Sequence, residues 1–489
     1  MRMRKLRVQV PSAGRGDATA TALAARFEAI RVELSVPDTF PDGVLAEAVR
    51  CAAAPSLPER DETARPFLTI DPPGSMDLDQ AMHLERDGAG YRVRYAIADV
   101  PAFVVAGGAV DVETRKRGQT IYAPDRRTPL HPAVLGEGAA SLLPGQVRPA
   151  FVWDLQLDEA AQVREAAVYR AMVRSTDRLD YEGVQRALDS AVANPGSQDE
   201  PLTLLREVGR KRLELERRRG GASLPMPEQE VEKDESGHYR VRFRPPLEVE
   251  DWNAQISLMA GMAGADLMTR AKIGILRTMP TPDDGAVNRF RQASRALGVE
   301  WRHGMAYGEF LRTLDRTNPA QLALIHEATA LFRGAGYTPF DGTVPDHHEH
   351  AAVAAPYAHV TAPLRRLVDR FALVICEAIS QGHDVPAWAR QALPSLPQIM
   401  AASDKVAGAV ERACADAVEA ATLQHRVGEV FDAVVVDRRD NGGGAVVQVQ
   451  DPPVLAKAAG ASELGARVKV ELVEATVATG TVRFRIVTT

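Results

Sequence analysis

The stretch FLTIDPPGSMDLDQAMHL, residues 67–84, decides how this chain is read. Phe67, Leu68, Thr69 and Ile70 make a short, apolar, β-rich run, which predicts a buried strand ending at Asp71. Pro72-Pro73-Gly74 then forces a turn. Past the turn the pattern alternates, and a strand there sets Asp77, Asp79 and Ala81 on one face and Leu78, Gln80 and Met82 on the other. Asp71 can close on Asp77 and Asp79 across the turn, bringing three carboxylates into one pocket. Like charges that close raise each other's pKa unless a cation neutralises them. Hard oxygen donors with no Cys nearby favour Mg²⁺ or Mn²⁺. On spacing alone the competing reading is a set of solvated turn residues. An EF-hand loop is excluded, because its alternating pattern and closing Glu are missing.

The neighbouring motifs choose between these readings. TIDPPGSMDLDQA (69–81) is followed by YRVRYAIADV (91–100), RKRGQTIYAPDRRTPLHP (115–132) and YAHVTAPLRRLVD (357–369). Together and in this order they resemble the RNB catalytic domain of the ribonuclease II and ribonuclease R family, over about Pro66 to Arg426. The resemblance implies a Mg²⁺-dependent, hydrolytic 3′→5′ exoribonuclease that releases nucleoside 5′-monophosphates. Its substrate would be single-stranded RNA threaded through a channel too narrow for duplex. Asp71, Asp77 and Asp79 match three of the family's four clustered aspartates and would hold the metal, with Asp79 also catalytic. The fourth position is Gln80, whose amide can offer an oxygen but removes one negative charge, so weaker metal binding is expected. Arg365 matches the first arginine of the family's T-S-P-I-R-R-Y motif, while Ala362 and Leu367 replace its Ser and Tyr. Tyr122 matches the tyrosine that stacks on the 3′-terminal base, and His359 the histidine of Y-x-H. Gln255 stands where many relatives carry a Glu facing the active site.

Local chemistry adds its own expectations. Pro363 suits the first turn of a helix capped by Thr361 or Ala362, which sets Arg365 where free N–H groups favour a phosphate. A guanidinium there can grip two phosphate oxygens and stabilise charge developing during in-line attack. Without the motif, Arg365 reads as an ion pair with Asp369 at i+4. Arg115, Lys116, Arg117, Arg126 and Arg127 form a basic cluster around Tyr122. RNA contacts are expected of Arg115, Arg117 and Arg127, and of Arg366. A second run, Arg206 to Arg219, is interleaved with Glu207, Glu214 and Glu216, so a salt-bridged surface fits it equally well. Asp346-His347-His348-Glu349-His350 lies in a Pro- and Gly-flanked loop without the i,i+4 spacing of a zincin helix, and is not read as a metal site.

The rest of the chain sets the frame. A length of 489 residues suggests roughly three domains. The net charge of −6 excludes a generally basic nucleic-acid binder, so an RNA path needs local patches. Cys51, Cys376 and Cys414 are far apart, form no zinc or redox motif and suit a reducing cytosol, so a cytoplasmic location is expected; a monomer is expected as well. The start, MRMRKLRVQVPSAGRGD, is basic but lacks the apolar core of a signal peptide, and no run of about 18 apolar residues spans a membrane. The expected class is α+β with three parts. Residues 1–64 form a helical segment (Thr19 to Leu34, then Pro41 to Ala54) too short for the family's cold-shock barrels. Residues 65–425 form the catalytic domain of mixed sheet and surrounding helices. Residues 426–489 give five short strands with turn signals, an OB-type barrel. Two rival functions stay open. One is a catalytically weak RNA-binding relative, suggested by Gln80, Gln255 and Ala362. The other is a DNA- or nucleotide-directed phosphodiesterase, since recognition of the 2′-OH is not legible.

Overall fold

The computed structural model describes residues 6–8, 18–193, 200–222, 224, 228–233, 239–244, 246–315, 318–438, 444–449, 451–452, 454–460 and 462–487. Of the basic N-terminal start, only Leu6–Val8 lies within these residues, as a short strand. The two helices read from periodicity are α1 (Ala18–Glu33) and α2 (Asp42–Ala53). Helix α1 buries Leu23, Phe27 and Ile30, spaced as one helical face.

The FLTI run is β1 (Phe67–Ile70), buried at all four positions. Next come β2 (Gln80–Asp87) and β3 (Gly90–Ala98), a hairpin that turns through ERDGAG and is registered from Gln80↔Ile97 to Asp87↔Gly90. Gly90 is needed there, because a Cβ would sit 2.0 Å from the Leu157 carbonyl oxygen. The chain then leaves the sheet for α3 (Ala109–Arg117) and a small hairpin of β4 (Ile121–Tyr122) and β5 (Arg127–Thr128). It returns as β6 (Val147–Leu157) and β7 (Val163–Leu179). Strands β1-β2-β3-β6-β7 close into a barrel through parallel pairing of β1 with β7. Alternation sorts β3 and β6 by size. Tyr91, Val93, Tyr95, Phe151 and Trp153 share one core cluster, and Ala96, Ala98, Ala150 and Val152 another.

Helices α4 (Glu200–Arg218), α5 (Glu248–Ala271) and α6 (Leu367–Ser380) join the cluster of large side chains through Leu205, Trp252, Ile256 and Phe371. A long helix, α7 (Leu396–Leu423), leads to the second barrel: β8 (Val430–Arg438), β9 (Gly444–Val449), β10 (Leu455–Ala459), β11 (Arg467–Thr476) and β12 (Thr481–Val487). These close in the order β8-β9-β10-β12-β11, the expected five-stranded barrel. Its Phe431 and Phe484 meet edge to face in the core, centroids 5.8 Å apart, and offer no stacking surface. Among the described residues, no helix is long and apolar enough to cross a membrane.

Two local expectations need correction. Residues 77–79 are irregular and the strand begins only at Gln80, so strand alternation does not orient Asp77 and Asp79. Residues 361–366 form a turn as well. Helix α6 starts at Leu367, so Arg365 lies ahead of the helix, not in its first turn.

Candidate active site

The aspartate turn is built by its prolines and glycine. Ser75 N–H donates to Pro72 O (3.2 Å), with Pro73 at the second position and Gly74 at φ 81° at the third, the residue choice of a type II turn. Asp71 leaves β1 with its N–H on Leu179 O (3.1 Å) of β7. Its Oδ2 is buried with no hydrogen-bond partner among the described residues. Burial, then the nearby charge of Asp77, raises the Asp71 carboxyl to about 6, with Arg365 and Arg178 opposing. Asp77 accepts from Arg127, which also holds Glu137 (2.7 Å). Asp79 is 3% exposed; its carboxylate accepts the Leu364 N–H (2.7 Å) and lies 3.5 Å from Arg365 Nε. Burial holds its acid range well above the usual value, against the pull of Arg365 and the Leu364 N–H. The cluster thus holds two buried carboxyls whose charged forms burial disfavours, and Asp71 keeps one oxygen without a partner among the described residues.

The turn carrying Arg365 is fastened from several sides. Thr361 and Ala362 donate their N–H groups to Asp369 Oδ1 (2.9 and 2.7 Å), and the Leu364 carbonyl accepts from His131 Nδ1 (3.1 Å). Thr120 N–H donates to Arg365 O and Leu367 N–H to Gly118 O (both 2.9 Å), tying the turn to the segment that begins the β4–β5 hairpin. Gln80 donates its amide to the Thr361 carbonyl (2.5 Å). Because His131 faces a carbonyl, its Nδ1 carries the proton and its buried Nε2 is bare. Burial, reinforced by the charge of Arg370, lowers the ring's pKa to about 4.

The expected RNA-binding arginines separate into two groups. Arg366, not Arg365, pairs with Asp369 (2.7 and 2.9 Å), so Arg366 braces the turn where an RNA contact was expected. Arg117 is likewise internal. It is 5% exposed, bonded to Glu113 (2.9 Å) and Thr39 O (2.7 Å), and lies over the Phe40 ring. Arg115 is half-buried, bonded to Asp111 (3.1 Å) and over the Phe371 ring. Arg127 reaches Asp77 of the cluster. Tyr122 is half-buried and directly opposite Arg127 in the hairpin register.

Gln255 is buried and donates to Glu216 of α4. His348 bonds Pro345 O (3.1 Å), and His350 pairs backbone to backbone with Ala355. Some neighbours of the cluster carry no local sequence signal. Exposed Arg178 donates to Ser75 O (3.3 Å), Asn253 to Tyr181 Oη (3.1 Å), and Tyr95 shares a hydrogen bond with Ser257 (2.7 Å). Only their place at strand ends or on the inward face of α5 brings them here.

Among the described residues, no three His, Cys, Asp or Glu side chains stand close enough to form a ready-made metal cage. The donor set nevertheless suits a hard divalent cation: oxygen ligands, an orphaned buried Asp71 Oδ2, and two carboxyls raised by burial.

Comparison with known proteins agrees with this architecture. Residues 59–381 match the family model "RNB domain", and residues 429–487 match "RNase II-type exonuclease C-terminal S1 domain". Ribonuclease R of Aquifex aeolicus is 26% identical over 451 residues, covering 84% of this chain and 60% of that protein. The chain spans about a third to three fifths of the length of such curated relatives. Among solved structures, ribonuclease R of Mycoplasma genitalium in its apo form superposes with a TM-score of 0.83 at 17% identity, over 96% of this chain and 78% of that one. That enzyme has also been solved with ribose-methylated single-stranded RNA and with double-stranded RNA. Yeast Ssd1, a pseudonuclease, shares the fold at a TM-score of 0.67 and 16% identity, over 86% of this chain and 53% of that one. With the domain match covering most of its length, this chain belongs to the RNB-domain family of ribonuclease II and R type, with that family's S1 barrel at the C-terminal side.

Proposed function

We propose that the chain is a 3′→5′ exoribonuclease that hydrolyses single-stranded RNA to nucleoside 5′-monophosphates with Mg²⁺. The observation that carries this reading is the meeting of two buried carboxyls, Asp79 and Asp71 with its partnerless Oδ2, with Arg365 on a turn tied down from several sides. Asp71, Asp77 and Asp79 would hold the metal, which when bound supplies an activated water and neutralises phosphate charge. Arg365, its side chain 39% exposed, can keep one edge toward Asp79 and offer its remaining N–H donors to a phosphate. A donor already fixed in place stabilises the charge that grows on the phosphate oxygens without reorganising during the reaction. Tyr122 would clamp the terminal base beside this point and hold the scissile bond in register, a contact worth roughly 1–3 kcal/mol. Arg178 and Arg115 are candidates for guiding the backbone.

A catalytically weak RNA-binding relative is the second reading, favoured by the Arg127 guanidinium on Asp77 and by a neutral Gln80. End-labelled oligo(A) RNA and DNA, with Mg²⁺ or EDTA, separate the two. The first reading expects a single-nucleotide ladder from RNA alone, lost in EDTA. It also expects that Asp79→Asn abolishes the ladder while RNA binding stays nearly intact, since Asn can still accept from Leu364. Tight binding with no ladder from the wild type refutes the enzyme reading.

A further inference from the structure

We propose that Arg127 is a built-in counter-cation for Asp77, and that its division between Asp77 and Glu137 sets how tightly this site takes up a divalent ion. The inference rests on the metal reading above. Its guanidinium is a two-pronged clamp, Nη1 on Asp77 and Nη2 on Glu137 at 2.7 Å. The clamp is half-shielded, with side chains 26%, 16% and 32% exposed for Arg127, Asp77 and Glu137, so water does not fully screen it. The burial that would lower the Arg127 pKa is outweighed by these two carboxylates, which raise it. A divalent ion arriving at Asp77 must displace one prong, and Glu137 keeps the released guanidinium from being left without an anion. Arg127 is also the residue opposite Tyr122 in the hairpin register. RNA seated on that ring brings a phosphate near the same guanidinium, a third anion that can draw it off Asp77. Uptake of the ion is thereby coupled to arrival of the substrate end.

The test is Mn²⁺ binding to the full chain without RNA, read from the free-ion signal in electron paramagnetic resonance. Arg127→Gln binds Mn²⁺ about tenfold tighter, the loss of roughly one charge-assisted pair. Glu137→Gln binds severalfold more weakly, because Arg127 then has Asp77 alone. Arg126→Gln is the charge control: it removes the same charge one residue away, from a side chain paired with Glu28 (3.1 Å) and Asp38 (2.7 Å), and leaves Mn²⁺ affinity within about twofold. If Arg127→Gln fails to fold, Glu137→Gln tests the same division from its other end. Equal shifts for Arg127→Gln and Arg126→Gln, or tighter binding by Glu137→Gln, overturn the counter-cation while leaving the metal reading intact. No Mn²⁺ binding by any variant, with or without a phosphorothioate RNA, overturns both.

Discussion

Replacing Gln80 with Asp restores the carboxylate that the family carries at this position, and composition alone predicts a gain in metal affinity. The structure predicts a loss of activity. Gln80 uses its amide N–H to hold the Thr361 carbonyl, and a carboxylate has no such donor at neutral pH. Thr361 is 4% exposed, so its carbonyl is left without that partner and with little water. An unsatisfied buried acceptor costs about 1–3 kcal/mol. The new charge also sits beside Asp79, whose buried carboxyl is already destabilised as an anion. If the cost falls on the turn that aims Arg365, single-turnover rates drop roughly 5- to 150-fold. The assay is hydrolysis of end-labelled oligo(A) across a Mg²⁺ titration, with Gln80→Leu alongside. A strut predicts that both variants are slow at every Mg²⁺ concentration, with Gln80→Asp no faster than Gln80→Leu. The reasoning fails if Gln80→Asp outpaces wild type at low Mg²⁺, for Gln80 is then a weakened ligand.

Two further outcomes follow from the same geometry. Tyr122→Ala leaves a longer resistant end product and slows the last cleavages about 5- to 150-fold, the value of one stacking contact, on a sequencing gel; a uniformly slower ladder with unchanged end product returns Tyr122 to a structural role. His131 titrates at about 4 when folded against 6.5 when free, so the unfolded chain takes the proton first. Its stability contribution is therefore whole above pH 6.5, falls as pH drops toward 4, and is about 2 kcal/mol smaller at pH 5 than at pH 7. Asn at position 131 keeps a donor for Leu364 but cannot titrate, and should flatten this acid loss in urea-melt midpoints; an unchanged slope would place the buried proton uptake elsewhere.

What was legible in the sequence was local. The β2–β3 hairpin, α1, α2 and the second barrel follow from periodicity and turn residues, which report on neighbours a few positions away. The aspartate turn is legible for the same reason, since Pro73 and Gly74 set its geometry whatever surrounds it. Pro363 misled because a long-range condition was met differently. Asp369 reaches back from within α6 to take the Thr361 and Ala362 N–H groups, so the capped segment is a turn and the helix waits until Leu367. The facing of Gln255 depends on how α4 packs against α5, and the pairing of Arg127 with Asp77 spans 50 residues. Neither leaves a local trace.

These pairings change what the basic cluster means. Read as a string, Arg115, Arg117, Arg127 and Arg366 look like four charges offered to a phosphate backbone. Folded, each meets a carboxylate of its own chain: Asp111, Glu113, Asp77 and Asp369. A guanidinium already matched to a carboxylate releases few counterions when it takes a phosphate instead. In the proposed exoribonuclease, grip on RNA near the site would therefore rest less on accumulated charge than on placement: Tyr122 opposite Arg127 in the hairpin, Arg365 aimed by its turn, and Arg178 at the exposed edge. That is consistent with a chain whose net charge is −6. It also explains why so many bonds converge on residues 361–366. With little diffuse attraction to hold a substrate, the proposed catalysis would depend on one guanidinium standing in the right place, and the fold fixes that place from β2, from His131, from the hairpin and from α6 together.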